Sequence, residues 1–137
     1  MKRSEINRNI EYARRVWALH GWTLPPFADY TPEDWARRGE ERAQVAARML
    51  GWDLTDFGSG DFYNTGLLLF TLRNGRLDGQ GEQPYAEKLM LVRENQLTPC
   101  HFHWSKMEDI INRGGGRLCV KIYESEPDET LSNRDVS

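Results

Sequence analysis

The sequence predicts a mainly β protein with helices at its N-terminal end, an antiparallel barrel or sandwich, on three observations. Apolar residues recur at helical spacing up to about Gly51. Beyond Gly51 the pattern changes to that of strands. The strand-like runs are short and separated by turn residues, an arrangement that suits antiparallel pairing.

Each element has its own signal. Ser4 stands where a helix cap would, ahead of Ile6, Ile10, Ala13, Val16 and Trp17 at helical spacing. The helix is expected to end at His20-Gly21, because glycine takes a left-handed cap conformation most easily. A histidine at that end is expected to cap carbonyls rather than bind a ligand. Leu24-Pro25-Pro26-Phe27-Ala28 reads as an extended linker, since proline turns its predecessor away from helix. Thr31 as cap, Pro32 in the first position and Glu33-Asp34 in the first turn mark a second helix. Arg37-Arg38-Gly39 interrupts it, the helix resumes over 40–50, and Gly51 closes it. Strands are expected over 67–72, 85–92, 98–104 and 117–123, the first closed by a tight turn at Arg73-Asn74-Gly75. This places the folded part in residues 1–123, followed by an acidic, polar tail over 124–137 that is expected to be solvated or disordered.

A chain of 137 residues fits one domain with a modest core. A net charge of −3 leaves no electrostatic footprint for nucleic acid or an anionic membrane. No apolar run approaches the roughly 20 residues that span a bilayer, and no secretory leader is expected from the charged, amphipathic start. Cys100 and Cys119 are too few for a disulfide scaffold and are expected to be reduced, small core residues. Together these features predict a cytoplasmic protein with no nucleic-acid or membrane partner.

The chemistry concentrates in His101-Phe102-His103-Trp104-Ser105-Lys106-Met107-Glu108, followed by Asp109-Ile110-Ile111-Asn112-Arg113-Gly114-Gly115-Gly116. On an extended chain, residues two apart share a face, so His101 and His103 project together and Phe102 turns away. A turn can bring the Glu108 carboxylate back to the two imidazoles. Two neutral nitrogens and one carboxylate suit a divalent metal with open positions. The plainer alternative, two histidines that merely alternate on a strand, must find partners for every ring nitrogen it buries. Lys88 shares a face with Met90 and Val92, where an amine needs a partner or must reach solvent. Arg113 is either an anion clamp or part of a polar turn.

These blocks resemble a known family. The HxH-x4-E spacing is similar to the first metal motif of the cupin superfamily, with Asn95 in place of an expected glycine. Asparagine tolerates left-handed backbone, which makes the exchange mild. More closely, Pro25-Pro26-Phe27-Ala28, Gly51-Trp52-Asp53, Leu69-Phe70-Thr71-Leu72-Arg73-Asn74-Gly75, Tyr85-Ala86-Glu87-Lys88 and the His101 to Gly116 block resemble the D-lyxose isomerase family.

The resemblance implies a cupin-type barrel (a jelly roll), a homodimer and a divalent metal, usually manganese, with zinc or iron as other candidates. It also implies a small sugar substrate, with D-lyxose and D-xylulose interconverted and D-mannose and D-fructose as secondary substrates. His101, His103 and Glu108 match three metal ligands, and Lys88 matches a lysine facing the sugar. The family's fourth ligand, a later histidine, has no counterpart: the chain has three histidines and none follows His103. The acidic residues that family members place late in the chain have no counterpart either. The expectation is therefore an incomplete barrel, with a complementing chain supplying the rest or with metal or partner binding but no catalysis.

Overall fold

The computed structural model describes residues 1–75, 85–104, 106–134 and 136. Two compact units divide the chain, Met1–Pro99 and Cys100–Ser137. In the first, helix α1 (Arg3–Leu19) leads through a 3-10 turn (Pro26–Asp29) to α2 (Pro32–Arg37) and α3 (Gly39–Ala47). Strands β1 (Gly51–Thr55), β2 (Leu67–Asn74) and β3 (Ala86–Leu91) follow and form an antiparallel sheet with β2 in the centre. The described residues are thus a mixed helix-and-sheet unit, with the helices first as expected.

α1 begins earlier than the Ser4 signal suggested. Lys2 occupies the cap position without a side-chain cap, and its carbonyl accepts from the N–H of Glu5 and Ile6 at 3.0 Å each. Ser4 therefore lies inside the first turn, where its hydroxyl cannot cap. The other end is as expected. Gly21 takes φ +77°, the Gly21 N–H donates to Ala18 O, and the Trp22 N–H donates to Trp17 O at 2.9 Å. That pair of bonds is the Schellman closure, which needs a left-handed residue at this point. The α1 face that turns inward buries Asn9, Ala13 and Trp17. Asn9 is satisfied there: its amide donates to Glu5 O, and its Oδ1 accepts from Arg93 Nη2 at 2.8 Å. The Arg93 guanidinium also lies 4.1 Å from the Tyr12 ring centre and 5.2 Å from that of Tyr63.

The proline linker departs from its expected extended form. Pro25 is extended, but Pro26–Asp29 is not; the Ala28 N–H donates to Pro25 O at 2.9 Å and closes a 3-10 turn. Proline at the start of a tight turn is compatible with its fixed φ and missing N–H. The turn delivers Ala28 O to the Trp52 indole N–H at 3.2 Å and Phe27 to the core. Thr31 behaves as predicted. Its hydroxyl accepts from the Asp34 N–H, while Asp34 Oδ2 accepts from the Thr31 N–H at 3.0 Å, a reciprocal capping box. The break before α3 falls at Arg38, and α3 ends at Ala47 rather than at Gly51, which opens β1 with φ +108°.

The sheet presents Trp52, Leu54, Leu68, Phe70, Leu72, Leu89 and Leu91 to the helical side. Phe70, fully buried, sits at the centre of this core. Its ring stacks on Phe27 at 5.5 Å and meets Trp52 edge-on at 5.0 Å, while Trp52 stacks on Trp17 at 5.4 Å. Strand β2 carries an irregularity: Thr71 pairs with Lys88 but Arg73 pairs with Glu87, so Leu72 is an extra residue between them. Beyond it, Arg73 meets Glu87 at 3.5 Å and the Asn74 amide donates to Arg48 O. The strand runs through Arg73 and Asn74, where a turn was expected; the rest of that connection lies outside the described residues.

Gly66, just before β2, is needed for close approach. A Cβ there would lie 2.8 Å from Phe62 Cδ2 and 2.9 Å from Gln96 Nε2. Gln96 is itself buried and bridges two segments, donating to Phe62 O and accepting from the Arg93 N–H at 3.0 Å.

In the second unit, the strands expected over 98–104 and 117–123 are absent among the described residues. Both runs lack a neighbouring ladder, and side-chain alternation alone does not satisfy a strand's backbone groups. With no sheet to bury a face, Phe102, Val120 and Ile122 are exposed. Cys100 and Cys119 are also exposed, which corrects their expected place in a core, although both are free thiols as expected. The acidic tail carries its own small turn. Ser125 bridges Leu131, the Glu126 N–H donates to Thr130 O, and Arg134 pairs with Glu124 and Glu126.

Candidate metal centre

Two local features frame the histidine segment. Upstream, Asn95 adopts φ +59°, the left-handed conformation in which asparagine can stand for glycine. The turn it makes lets the Gln96 N–H donate to Arg93 O, and Leu97 then bridges Thr65. Downstream, Asn112 folds the glycine run. Its side chain accepts from the Gly114 N–H and donates to Gly116 O at 2.8 Å, and Gly115 takes φ +92°. Arg113 lies within the loop that the Asn112–Gly114 hydrogen bond closes.

Residues 101–104 between them carry no strand pairing, and their side chains alternate as expected. The rings of His101 and His103 lie on one side with centroids 5.0 Å apart, inclined at 79°. Phe102 and Trp104 pair on the other at 4.9 Å. Glu108 folds back as the turn argument requires. One donor atom from each of His101, His103 and Glu108 lies within 4.8 Å of the other two, close enough for one ion to be shared among them.

The donor set fits a divalent cation. Ligands about 2.1 Å from a tetrahedral ion lie about 3.4 Å from one another. His103 Nε2 and Glu108 Oε1 are 3.4 Å apart already. A neutral imidazole pair with one carboxylate would leave open positions on the ion, as catalytic rather than structural sites do. His103 and Glu108 are about one-third and two-fifths exposed, so solutes can reach them.

One residue escaped the sequence argument. Lys106, within the spacer between His103 and Glu108, places its Nζ against Glu108 Oε1 and 3.4 Å from His103 Nε2. Its hydrogen bond is the largest influence on Glu108, whose carboxyl is held below its ordinary value against the opposing effect of burial; the charges of Lys106 and the imidazoles add to the lowering. The signal was present, since Lys106 is the one cationic residue of that spacer.

Lys88 belongs to the first unit. It lies on β3, exposed, on the sheet face opposite the helices, beside Thr71 across the strands and with Met90 on the same face. His20 is the C-cap of α1 and contributes its backbone N–H there.

Helices on an antiparallel sheet, with an HxH and a glutamate converging downstream, define a candidate metalloprotein of two-histidine, one-carboxylate type. The comparison with known proteins is more specific: the sequence profile described as D-lyxose isomerase matches residues 1–137. The chain belongs to the D-lyxose isomerase family. It is 45% identical to a D-lyxose/D-mannose isomerase of Escherichia coli O157:H7 and 44% identical to a D-lyxose/D-mannose isomerase of Serratia proteamaculans. Each match covers 100% of this chain and 61% of the relative, so the chain spans about three-fifths of the length of these proteins.

Proposed function

We propose that this chain contributes to a metal-dependent aldose–ketose isomerase that interconverts D-lyxose with D-xylulose, and D-mannose with D-fructose. The single observation that supports it most is the convergence of His101, His103 and Glu108 in a chain of the D-lyxose isomerase family. The names of both relatives supply D-lyxose and D-mannose; D-xylulose and D-fructose are the ketoses this proposal pairs with them. In this proposal the sheet is part of a cupin barrel, and the protein works as a cytoplasmic homodimer or with a complementing chain. Among the described residues no helix is long and apolar enough to cross a membrane.

The reaction moves a carbonyl between C1 and C2 of the sugar, through an enediol formed when the adjacent carbon loses a proton. His101 and His103 supply neutral nitrogen donors and Glu108 a charged oxygen, a set that would hold manganese, or zinc or iron in its place. When bound, such an ion supplies Lewis-acid stabilisation of the charge that develops on the sugar oxygens, a contribution of several kcal/mol. Lys88, exposed on the sheet face opposite the helices, is assigned to hydrogen-bond a sugar oxygen as negative charge grows there. Trp104 and Phe102, on the opposite side of the histidine segment, take no part in binding the ion.

A second reading is metal binding without catalysis, since the convergence of His101, His103 and Glu108 suits an ion whether or not turnover follows. The test is conversion of D-lyxose to D-xylulose by the purified protein, with and without added manganese and after chelation. Turnover that depends on manganese supports the isomerase; bound metal without turnover supports the second reading. Metal content unchanged when His101 and His103 are both replaced by alanine would overturn the site itself.

A further inference from the structure

Lys106 touches the same two donor atoms that a metal ion would use, and nothing in the isomerase mechanism above employs it. Its ammonium contacts Glu108 Oε1 and lies 3.4 Å from His103 Nε2. A lysine ammonium has three donors and no acceptor, so a hydrogen bond to Nε2 requires that nitrogen to present its lone pair. His103 must then carry its proton on Nδ1, the tautomer in which Nε2 is ready for a metal. An Nε2 that accepts from Lys106 cannot donate to Glu108, although those two atoms are also 3.4 Å apart. The ammonium is therefore the group that reconciles two acceptors held so close together.

The geometry points to Lys106 as a tethered stand-in cation, which keeps His103 and Glu108 converged and in the binding tautomer until a divalent ion displaces it. Metal entry is then an exchange of one cation for another, and the ligand set need not be built from separated parts. The inference rests on His101, His103 and Glu108 being the metal ligands. It has two consequences. The first concerns affinity: a site occupied by its own lysine for part of the time binds metal more weakly by the fraction left vacant. Occupancy of two-thirds to nine-tenths corresponds to about three- to tenfold. An ammonium that stayed beside the bound ion would weaken binding further by like-charge repulsion. The second concerns accessibility: displacement by metal returns the Lys106 amine to solvent.

Both consequences can be measured without turnover. Mn2+ titrations of the full chain, followed by the electron paramagnetic resonance signal of free Mn2+, compare the parent with Lys106→Met and with the His101→Ala/His103→Ala pair. Circular dichroism of each variant checks that the fold is retained. Lys106→Met is expected to bind Mn2+ about three- to tenfold more tightly, and the double variant to lose binding. In parallel, acylation of the parent by an amine-reactive ester, read by mass spectrometry, is expected to label Lys106 faster when Zn2+ is present, relative to Lys121. Unchanged or weaker binding by Lys106→Met, or Lys106 labelling that Zn2+ leaves unchanged or slows, would overturn the stand-in role. If the double variant kept its affinity, the ligand assignment would fail instead, so the two failures are distinct.

Discussion

Phe70→Ala is the sharpest test of the core. The side chain is fully buried, stacked on Phe27 and edge-on to Trp52. A buried aromatic removes about 150–250 Å² from water, which at about 25 cal/mol/Å² amounts to about 4–6 kcal/mol. Alanine retains the Cβ, and measured Phe→Ala replacements in cores fall at about 3–5 kcal/mol. We expect a loss in that range. Phe70→Leu keeps most of the volume and loses the ring contacts, so it should cost about 1.5 kcal/mol. Urea unfolding followed by tryptophan fluorescence reads both variants, because Trp17 and Trp52 sit in the same cluster. With a urea dependence of about 2 kcal/mol per M, Phe70→Ala should lower the midpoint by about 2 M. A loss below about 1 kcal/mol, or a leucine variant as damaged as the alanine one, would refute the idea that the sheet and helices are held together at this ring.

The remaining predictions concern the helix start and the approach to β2. Thr31→Ala removes the cap of α2 and should destabilise the protein by about 1 kcal/mol in the same urea assay. Asp34 is held below its ordinary value, first by the Thr31 backbone N–H, then by the Thr31 hydroxyl and Arg37, while burial opposes the shift. A carboxyl lowered on folding contributes stability above its unfolded value of about 4 and loses it as pH falls through the lower folded value. An NMR titration of the Asp34 carboxyl should show its midpoint moving upward in Thr31→Val, with the midpoint of Asp61 unmoved. Gly66→Ala forces a methyl against Phe62 and Gln96 and should cost about 1–3 kcal/mol by thermal or urea unfolding. Loss of amide-exchange protection at Gly66 and Leu97, which share a hydrogen bond, would locate that damage.

Local signals predicted local structure well. Thr31-Pro32-Glu33-Asp34 contains its own hydrogen-bond partners, and Gly21 its own backbone freedom, so neither depends on distant packing. The apolar run before Arg73 became the central strand because both its neighbours are present in the same unit. Ser4 misled because a helix start is set by whichever residue first leaves helical geometry, and that residue is Lys2. The alternating runs at 98–104 and 117–123 misled for a different reason: strand character is completed by a partner, and periodicity reports only which side each residue takes. The convergence of His101, His103 and Glu108 survived that loss, since i and i+2 share a side on any extended chain. Lys106 was missed because a spacer read for its length hides the chemistry of its residues. Asn9 was missed because a polar residue on a helix's inner face is legible only when Arg93, far along the chain, is seen to meet it.

The extra residue in β2 has a bearing on how this sheet tolerates change. Up to Thr71, odd-numbered positions of β2 lie opposite Lys88 and Met90; beyond Leu72 the even-numbered Asn74 lies opposite Ala86. Leu72 thus works as a phase shifter, like one added tooth between two meshed racks. Deleting it should restore one unbroken register that keeps Arg73 opposite Glu87 and Asn74 opposite Ala86, with only the Leu72 packing against the core lost. A one-residue insertion before Thr71 should instead exchange the sides of Leu68, Leu69 and Phe70, sending core residues to the face that bears Lys88. Length variation in this strand is therefore tolerable at Leu72 and ruinous a few residues earlier, an asymmetry that a scan of single-residue insertions and deletions would trace along the chain.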